Sequence, residues 1–85
     1  MSADPAGVHV RVHVALKAGV LDVQGKAVEA ALHGLGWPEV SRVRVGRLIE
    51  FDVSGDDPEI ARAKASAMCD RLLANPVIES WRVEV

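Results

Sequence analysis

Residues 8–17 alternate between apolar and polar side chains, and this alternation constrains the fold more than any other feature of the chain. One parity holds Val8, Val10, Val12, Val14 and Leu16, and the other holds His9, Arg11, His13, Ala15 and Lys17. A period of two is typical of a β-strand with one buried face and one solvated face. The chain is therefore expected to build a sheet around this strand.

Two helices are predicted from their caps and their apolar periodicity. Asp22 is the expected N-cap of a helix that runs through Leu35 and ends at Gly36. Asp57 is the expected N-cap of the second helix, with Pro58 at its first position. Helical spacing places the buried stripes at Val28, Ala31, Leu32 and Leu35 in the first helix, and at Ala61, Ala65, Met68, Cys69, Leu72 and Leu73 in the second.

The first turn of the first helix contains Gly25, which costs about 0.5–1 kcal/mol relative to alanine. A close neighbour or an unusual backbone angle is predicted there. The second helix is expected to end where Asn75 takes the left-handed conformation and Pro76 prevents continuation. A final strand over residues 77–85 follows with almost no linker.

Residues 40–53 predict two further strands joined near Gly46. The apolar members Val43, Val45, Ile49, Phe51 and Val53 share one parity, so a turn with an odd number of residues keeps them on one face. The three-residue turn Gly46-Arg47-Leu48 satisfies this condition.

The element order β-α-β-β-α-β predicts an α+β two-layer sandwich, with a four-stranded, mainly antiparallel sheet and both helices on one face. Residues 8–85 form a single domain in this prediction, and residues 1–7 form a flexible N-terminal tail. The uncovered sheet face is expected to carry His9, Arg11, His13, Arg42, Arg44, Glu50, Asp52, Arg82 and Glu84. Bare solvent and a protein partner are equally compatible with a face of this composition.

Composition narrows the class of protein. Eighty-five residues hold one domain, and a monomer of this size is marginally stable because it buries only about 60% of its unfolded surface. The formal net charge of −2 argues against a nucleic-acid partner. No apolar run reaches the roughly 20 residues of a membrane span, and the first residues do not read as a signal peptide, so a cytoplasmic protein is expected.

The chain offers no catalytic constellation or metal site of its own. His9 and His13 lie roughly 13 Å apart along a strand, which is too far to bind one metal ion. Cys69 is the only cysteine, and it is interpreted as a small apolar core residue. The basic series Arg42, Arg44 and Arg47 is interpreted first as a solvated edge. Trp81 is placed in the core or a subunit contact, and Trp37 nearer the rim.

Three segments together resemble the PurS family, the small subunit of phosphoribosylformylglycinamidine synthase. They are residues 21–28, residues 43–47 and residues 68–79, in the order and at the separations typical of that family. Val23 departs from the family by replacing a common proline, which makes the start of the first helix less rigid. Trp81 stands where tyrosine or another aromatic residue is frequent.

The resemblance implies a role in assembly. A PurS subunit dimerises, or forms a higher homo-oligomer, and organises the PurL synthetase and the PurQ glutaminase so that ammonia passes between their active sites. No cofactor is expected on this chain, because ATP and Mg²⁺ are used by the synthetase subunit. The positions expected to make subunit contacts or to carry the family's motifs are Asp22, Gln24, Gly25, Arg44, Gly46, Arg47, Asn75, Pro76 and Trp81.

Two alternatives share the β-α-β-β-α-β order. A small-ligand-binding regulatory domain of the ACT kind would dimerise to build effector sites. A small enzyme of the acylphosphatase type would need a catalytic asparagine, and Asn75, the sole asparagine, is assigned to a helix terminus. The acylphosphatase-type enzyme is therefore the least favoured of the three hypotheses.

Overall fold

The computed structural model describes residues 7–85, so the predicted tail lies outside the described residues except for Gly7. The elements are β1 (Val8–Leu16), α1 (Val23–Gly34), β2 (Arg47–Val53), α2 (Pro58–Met68) and β3 (Glu79–Glu84). A π-helical turn, Cys69–Leu73, extends α2. Within this part of the chain no helix has the length and apolarity needed to cross a membrane.

The sheet has three antiparallel strands in the order β2-β1-β3. The central strand β1 covers residues 8–16 of the predicted range 8–17. Its residue Val12 lies opposite Ile49 of β2 and Val83 of β3, so apolar side chains of all three strands share one face. The α+β class and the antiparallel sheet are thus confirmed.

The prediction of a fourth strand before Gly46 is wrong, and so is the three-residue turn. Residues 40–46 form no strand, because two of their amides bond to side chains of the α1 region. The Val43 amide donates to Glu29 at 3.2 Å and the Val45 amide donates to Asp22 at 2.8 Å. Arg42 also takes a positive φ of 55°, which is incompatible with a strand.

The core lies between α2 and the inner face of the sheet. It consists of Val10, Val12, Val14, Ala61, Ala65, Cys69 and Ala74, all buried. Small residues on α2 let the helix approach β1 and β3 closely, against which it packs. The predicted stripe is wrong at Met68 and Leu72, which are 38% and 82% exposed. The π-helical turn after Met68 shifts the helical phase at Leu72.

Helix α1 does not pack onto the sheet or onto α2, so the prediction of two helices covering one face is wrong. Its predicted buried stripe is also wrong. Val28 is 41% exposed and Leu35 is 71% exposed, while Leu32 is half-buried. The helix starts at the end of the sheet with Asp22 as its N-cap, as predicted, and the inner face beside β2 is left without a helix.

The end of the second helix differs from the prediction at Asn75. Among the described residues Arg42 alone, glycines aside, has a positive φ, so Asn75 is not left-handed. The helix stops because Ala74 is extended, with φ −140° and ψ 157°. Asn75 then builds the turn with its side chain, whose Oδ1 accepts the Val77 amide at 3.1 Å.

Candidate functional site

Asp22 joins the start of α1 to the polypeptide that returns from it. Its Oδ1 accepts the Gly25 amide at 2.8 Å and its Oδ2 accepts the Val45 amide at 2.8 Å. Arg44 Nε lies 3.8 Å from the same Oδ2. The hydrogen bonds from the Val45 and Gly25 amides, and then the positive charge of Arg44, lower the pKa of Asp22, which is 5% exposed. We call Asp22, Gly25, Arg44 and Val45 the Asp22 clasp.

Two glycines are required where the backbone segments meet at the Asp22 clasp. A Cβ on Gly25 would collide with the Val43 carbonyl oxygen, and a Cβ on Gly46 would lie 2.6 Å from the Val14 carbonyl oxygen. Neither glycine has a positive φ, so close approach explains both. The predicted close neighbour of Gly25 is therefore confirmed.

A second group of charges spans β1 beside the Asp22 clasp. Arg47 Nη2 donates to both carboxylate oxygens of Glu79, at 2.9 and 3.0 Å. The Asn75 amide donates to Glu79 Oε1 at 2.8 Å. The Asn75 amide, followed by Arg47, lowers the pKa of Glu79, whose side chain is 17% exposed. The pair ties the two edge strands together across the central strand.

Most of the residues singled out from the sequence meet at this end of the sheet. A hollow of about 360 Å³ is lined by Asp22, Gln24, Gly46, Arg47 and Glu79, among others. Gly25 and Arg44 belong to the adjoining Asp22 clasp, and Asn75 is bonded to Glu79.

Pro76 and Trp81 lie at the border of this region. They line a neighbouring shallow hollow of about 300 Å³ together with Glu79. The Pro76 carbonyl accepts Lys17 Nζ at 2.7 Å, and Trp81 is half-buried against the core opposite Val14. Trp37 is 51% exposed, in agreement with its predicted place near the rim.

Sequence reasoning missed Glu79, although a signal for it exists. Glu79 shares the parity of Trp81 and Val83 on the inner face of β3, where an isolated carboxylate is costly. Arg47 likewise shares the parity of Ile49 and Phe51 on β2. One edge strand carries a positive residue among its inward-facing positions and the other carries a negative residue. This arrangement predicts an ion pair between them.

The outer sheet face carries a connected set of charges. His9 bonds to Asp52 at 2.8 Å and to Glu50 at 3.0 Å, and Arg11 Nε donates to Glu50 at 2.9 Å. Glu50 and then Asp52 raise the pKa of His9, while His9 and then Arg11 lower the pKa of Glu50. The predicted mixed-sign face is confirmed for the strand residues, whereas Arg42 and Arg44 lie outside the sheet.

The geometry at this end of the sheet suits structural contact better than catalysis. Each carboxylate there already accepts backbone or guanidinium hydrogen bonds. Among residues 7–85 no three His, Cys, Asp or Glu side chains converge in a way that could hold a metal ion. What this region presents is a set of fixed backbone segments with two half-exposed arginines, Arg44 and Arg47.

Comparison with known sequences identifies the family. Residues 9–85 match the family described as PurS: Phosphoribosylformylglycinamidine (FGAM) synthase. The chain is 45% identical over 76 residues to the PurS subunit of Bacillus subtilis, covering 89% of each protein. It is 43% identical over 77 residues to the PurS subunit of Synechocystis, covering 91% of this chain and 77% of that one.

Solved structures agree with the sequence comparison. B. subtilis PurS matches with a TM-score of 0.79 at 43% identity, over 89% of this chain and 94% of that one. A chain of the structure of PurLQS from Thermotoga maritima matches with a TM-score of 0.81 at 28% identity, over 89% of this chain and 93% of that one. This chain therefore belongs to the PurS family, a subunit of phosphoribosylformylglycinamidine synthase.

Proposed function

We propose that this chain is the non-catalytic small subunit of phosphoribosylformylglycinamidine synthase in purine biosynthesis. It dimerises and organises the PurL synthetase and the PurQ glutaminase, so that ammonia released from glutamine reaches the synthetase site. The complex converts formylglycinamide ribonucleotide, ATP and glutamine into formylglycinamidine ribonucleotide, ADP, phosphate and glutamate. ATP and Mg²⁺ act on the synthetase subunit, no cofactor binds this chain, and the complex is cytoplasmic.

The observation that carries this proposal is the match to a chain of the T. maritima PurLQS structure, which covers 89% of this protein. Two structural features of the chain also support the proposed assembly role. Its polar clusters hold backbone segments in place, and α1 leaves apolar side chains exposed. A subunit that holds two enzymes together raises the local concentration of the transferred intermediate without a catalytic residue.

The proposed contact region is the end of the sheet around the Asp22 clasp. Arg44 and Arg47 retain 45% and 52% side-chain exposure, so each can reach a partner while it stays bonded within the chain. Gln24 lines the same hollow. Asp22, Gly25, Gly46, Asn75 and Pro76 are proposed to fix the backbone that presents these side chains, and Trp81 to support it from the core.

The function is tested by size-exclusion chromatography with light scattering, on the chain alone and then mixed with PurL and PurQ from the same source, with glutamine and nucleotide present. A dimer that joins a larger complex and restores glutamine-dependent synthesis is the expected result. A chain that never co-elutes under these conditions would contradict the assembly role.

The contact region is tested separately with the double substitution Arg44→Glu and Arg47→Glu. We expect loss of complex assembly with the dimer retained. Arg82→Glu is the matched control, because Arg82 is 66% exposed on the outer sheet face, away from the Asp22 clasp. Full assembly by the double variant, with an unchanged circular dichroism spectrum, would show that this region does not contact the partner subunits.

An ACT-like ligand-binding role is not favoured by the family match. Titration calorimetry of the isolated chain with amino acids and nucleotides separates the two roles. No saturable heat is expected, whereas saturable binding would support the regulatory role.

A further inference from the structure

A second hollow, of about 700 Å³, adjoins the Asp22 clasp. It lies between the loop that follows β1, the first two turns of α1 and the segment that returns from α1. Its charged lining consists of three cations and two carboxylates. Its apolar lining consists of Leu16, Ala18, Val20, Leu21 and Val43. We call this surface the Arg42 hollow.

The two carboxylates of the Arg42 hollow are already bonded within the chain. Asp22 is 5% exposed and accepts the Gly25 and Val45 amides, both at 2.8 Å. Glu29 is half-buried and accepts the Val43 amide at 3.2 Å. Each carboxylate therefore neutralises part of the local backbone dipole and presents little charge to a ligand.

The three cations, by contrast, are not all bonded within the chain. Arg44 is anchored, because its Nη2 donates to the Leu16 carbonyl at 3.0 Å and its Nε lies 3.8 Å from Asp22 Oδ2. Within residues 7–85 neither Lys26 nor Arg42 has a carboxylate oxygen within 4.0 Å, and both residues are exposed. In a chain of formal net charge −2, the Arg42 hollow thus presents two cations without an internal counter-ion.

Arg42 is also held in a strained backbone conformation. Its φ is 55°, and in the described part of the chain it is the only residue other than glycine with a positive φ. Bonds on both sides keep it there: His33 Nε2 donates to the Val40 carbonyl at 2.6 Å, and the Val43 amide donates to Glu29. Glycine would adopt this conformation without strain, whereas arginine does not. A strained residue whose side chain has no ion-pair partner within residues 7–85 points to a contact outside the chain.

The Arg42 hollow is separate from the exposed apolar side of α1. Lys26 and Val28 are two positions apart, which places them about 160° from each other around the helix. Val28, which is 41% exposed, therefore faces away from the Arg42 hollow. A protein bound in the Arg42 hollow leaves the apolar side of α1 available for another contact.

From these observations we infer that the Arg42 hollow binds an acidic segment of a partner protein, in which an apolar side chain lies between carboxylates. The apolar side chain contacts Leu21, which is 67% exposed, and its lining neighbours. The carboxylates pair with Lys26 and Arg42, the two cations without an internal counter-ion. The inference rests on the proposed function only in assigning this segment to another subunit of the synthase.

The ligand class is tested directly by NMR titration of the isotope-labelled full-length chain. The probe is the acetylated and amidated peptide Glu-Glu-Leu-Glu-Glu, and the matched control is Gln-Gln-Leu-Gln-Gln. We expect saturable shifts at the amides of residues 18–21 and 42–44, with the control peptide binding at least tenfold more weakly. Equal binding of both peptides, or no saturable shift with the acidic one, would overturn the inference. ADP is titrated in parallel, and saturable ADP shifts at the same amides would replace the acidic segment by a phosphate ligand.

The substitution Arg42→Gly separates binding from folding. Glycine relieves the strain at positive φ and removes the cation, so the Tm should be unchanged or higher while peptide binding weakens at least tenfold. Unchanged peptide binding would overturn the inference. A lower Tm would also overturn it, because the Arg42 side chain would then stabilise the chain itself.

The partner is tested by biolayer interferometry of the full-length chain with PurL and PurQ, with glutamine and nucleotide present. Lys26→Glu with Arg42→Glu should weaken assembly at least tenfold while light scattering shows the dimer retained. Arg71→Glu with Arg82→Glu is the matched control, because it makes the same change in net charge at exposed positions outside the Arg42 hollow. Equal assembly by the two double variants would overturn the inference. Assembly of the wild-type chain reports on the proposed function alone: if it fails while the acidic peptide still binds, the proposed function is wrong and the Arg42 hollow keeps its ligand class.

Discussion

Asp22 and Val45 are joined by a hydrogen bond of 2.8 Å although 23 positions separate them in sequence. The carboxylate that caps α1 is also the acceptor for the segment that returns from the helix. One buried side chain therefore sets both the direction in which α1 leaves the sheet and the path by which the chain comes back to β2. Loss of either bond should loosen the start of α1 and the segment that returns from it.

Asp22→Asn should lower Tm by about 5–10 °C. The amide keeps one oxygen for the Gly25 amide but turns an NH₂ group toward the Val45 amide, so two donors face each other. Thermal unfolding followed by circular dichroism measures the change. Asp57→Asn is the matched control, because asparagine caps α2 equally well through the single bond to the Glu59 amide. Equal shifts in the two variants would contradict the double role of Asp22.

The contribution of Asp22 should also depend on pH in a defined window. Its pKa is lowered by the Val45 amide, then the Gly25 amide, then Arg44. A lowered folded-state pKa gives stability that is present above the unfolded pKa of about 3.9 and is lost as the pH falls through the folded value. The Tm difference between wild type and Asp22→Asn should be constant from about pH 5 to 7 and shrink below about pH 4. A difference that changes mainly between pH 6 and 8 would point to another group.

Gly25→Ala should destabilise the protein by about 1–3 kcal/mol, although alanine favours helices, because the added Cβ would strike the Val43 carbonyl oxygen. Gly34→Ala is the matched control on the same helix. No atom lies within 4 Å of a Cβ placed on Gly34, so this variant should be stabilised by up to about 1 kcal/mol. Urea denaturation measures both changes. Stabilisation by both substitutions would show that Gly25 has room for a side chain.

Elements that are determined by neighbouring residues could be predicted from the sequence. Alternation located β1, and the Asp57-Pro58 pair located the start of α2. The segment before β2 was predicted as a strand because its parity is regular, but its amides bond to Asp22 and Glu29, which are distant in sequence. The placement of α1 could not be predicted from periodicity, since an apolar stripe does not specify which surface covers it.

The pKa of His9 should lie above the ordinary pKa of a histidine. Glu50 and then Asp52 raise its pKa, so the charged form is favoured in the folded state. A raised folded-state pKa gives stability that is fully present below the unfolded value of about 6.5 and is lost as the pH rises through the folded value. Two-dimensional NMR of the imidazole should give a pKa above 6.5. The shift should diminish in 0.5 M salt, because the residues are exposed. An unshifted His9 would contradict the ion pairs on this face.

Arg47→Glu should lower Tm, because it places a second carboxylate beside Glu79 across β1. Exchanging both charges, in the variant Arg47→Glu with Glu79→Arg, restores an ion pair but should recover only part of the loss. The remaining loss arises at Asn75, whose amide donates to Glu79 Oε1 at 2.8 Å and would have no carboxylate acceptor in the exchanged variant. A double-mutant cycle by thermal unfolding measures the coupling between the two residues. Complete recovery would show that the Asn75 bond contributes nothing, and no recovery would show that Arg47 and Glu79 are not energetically coupled.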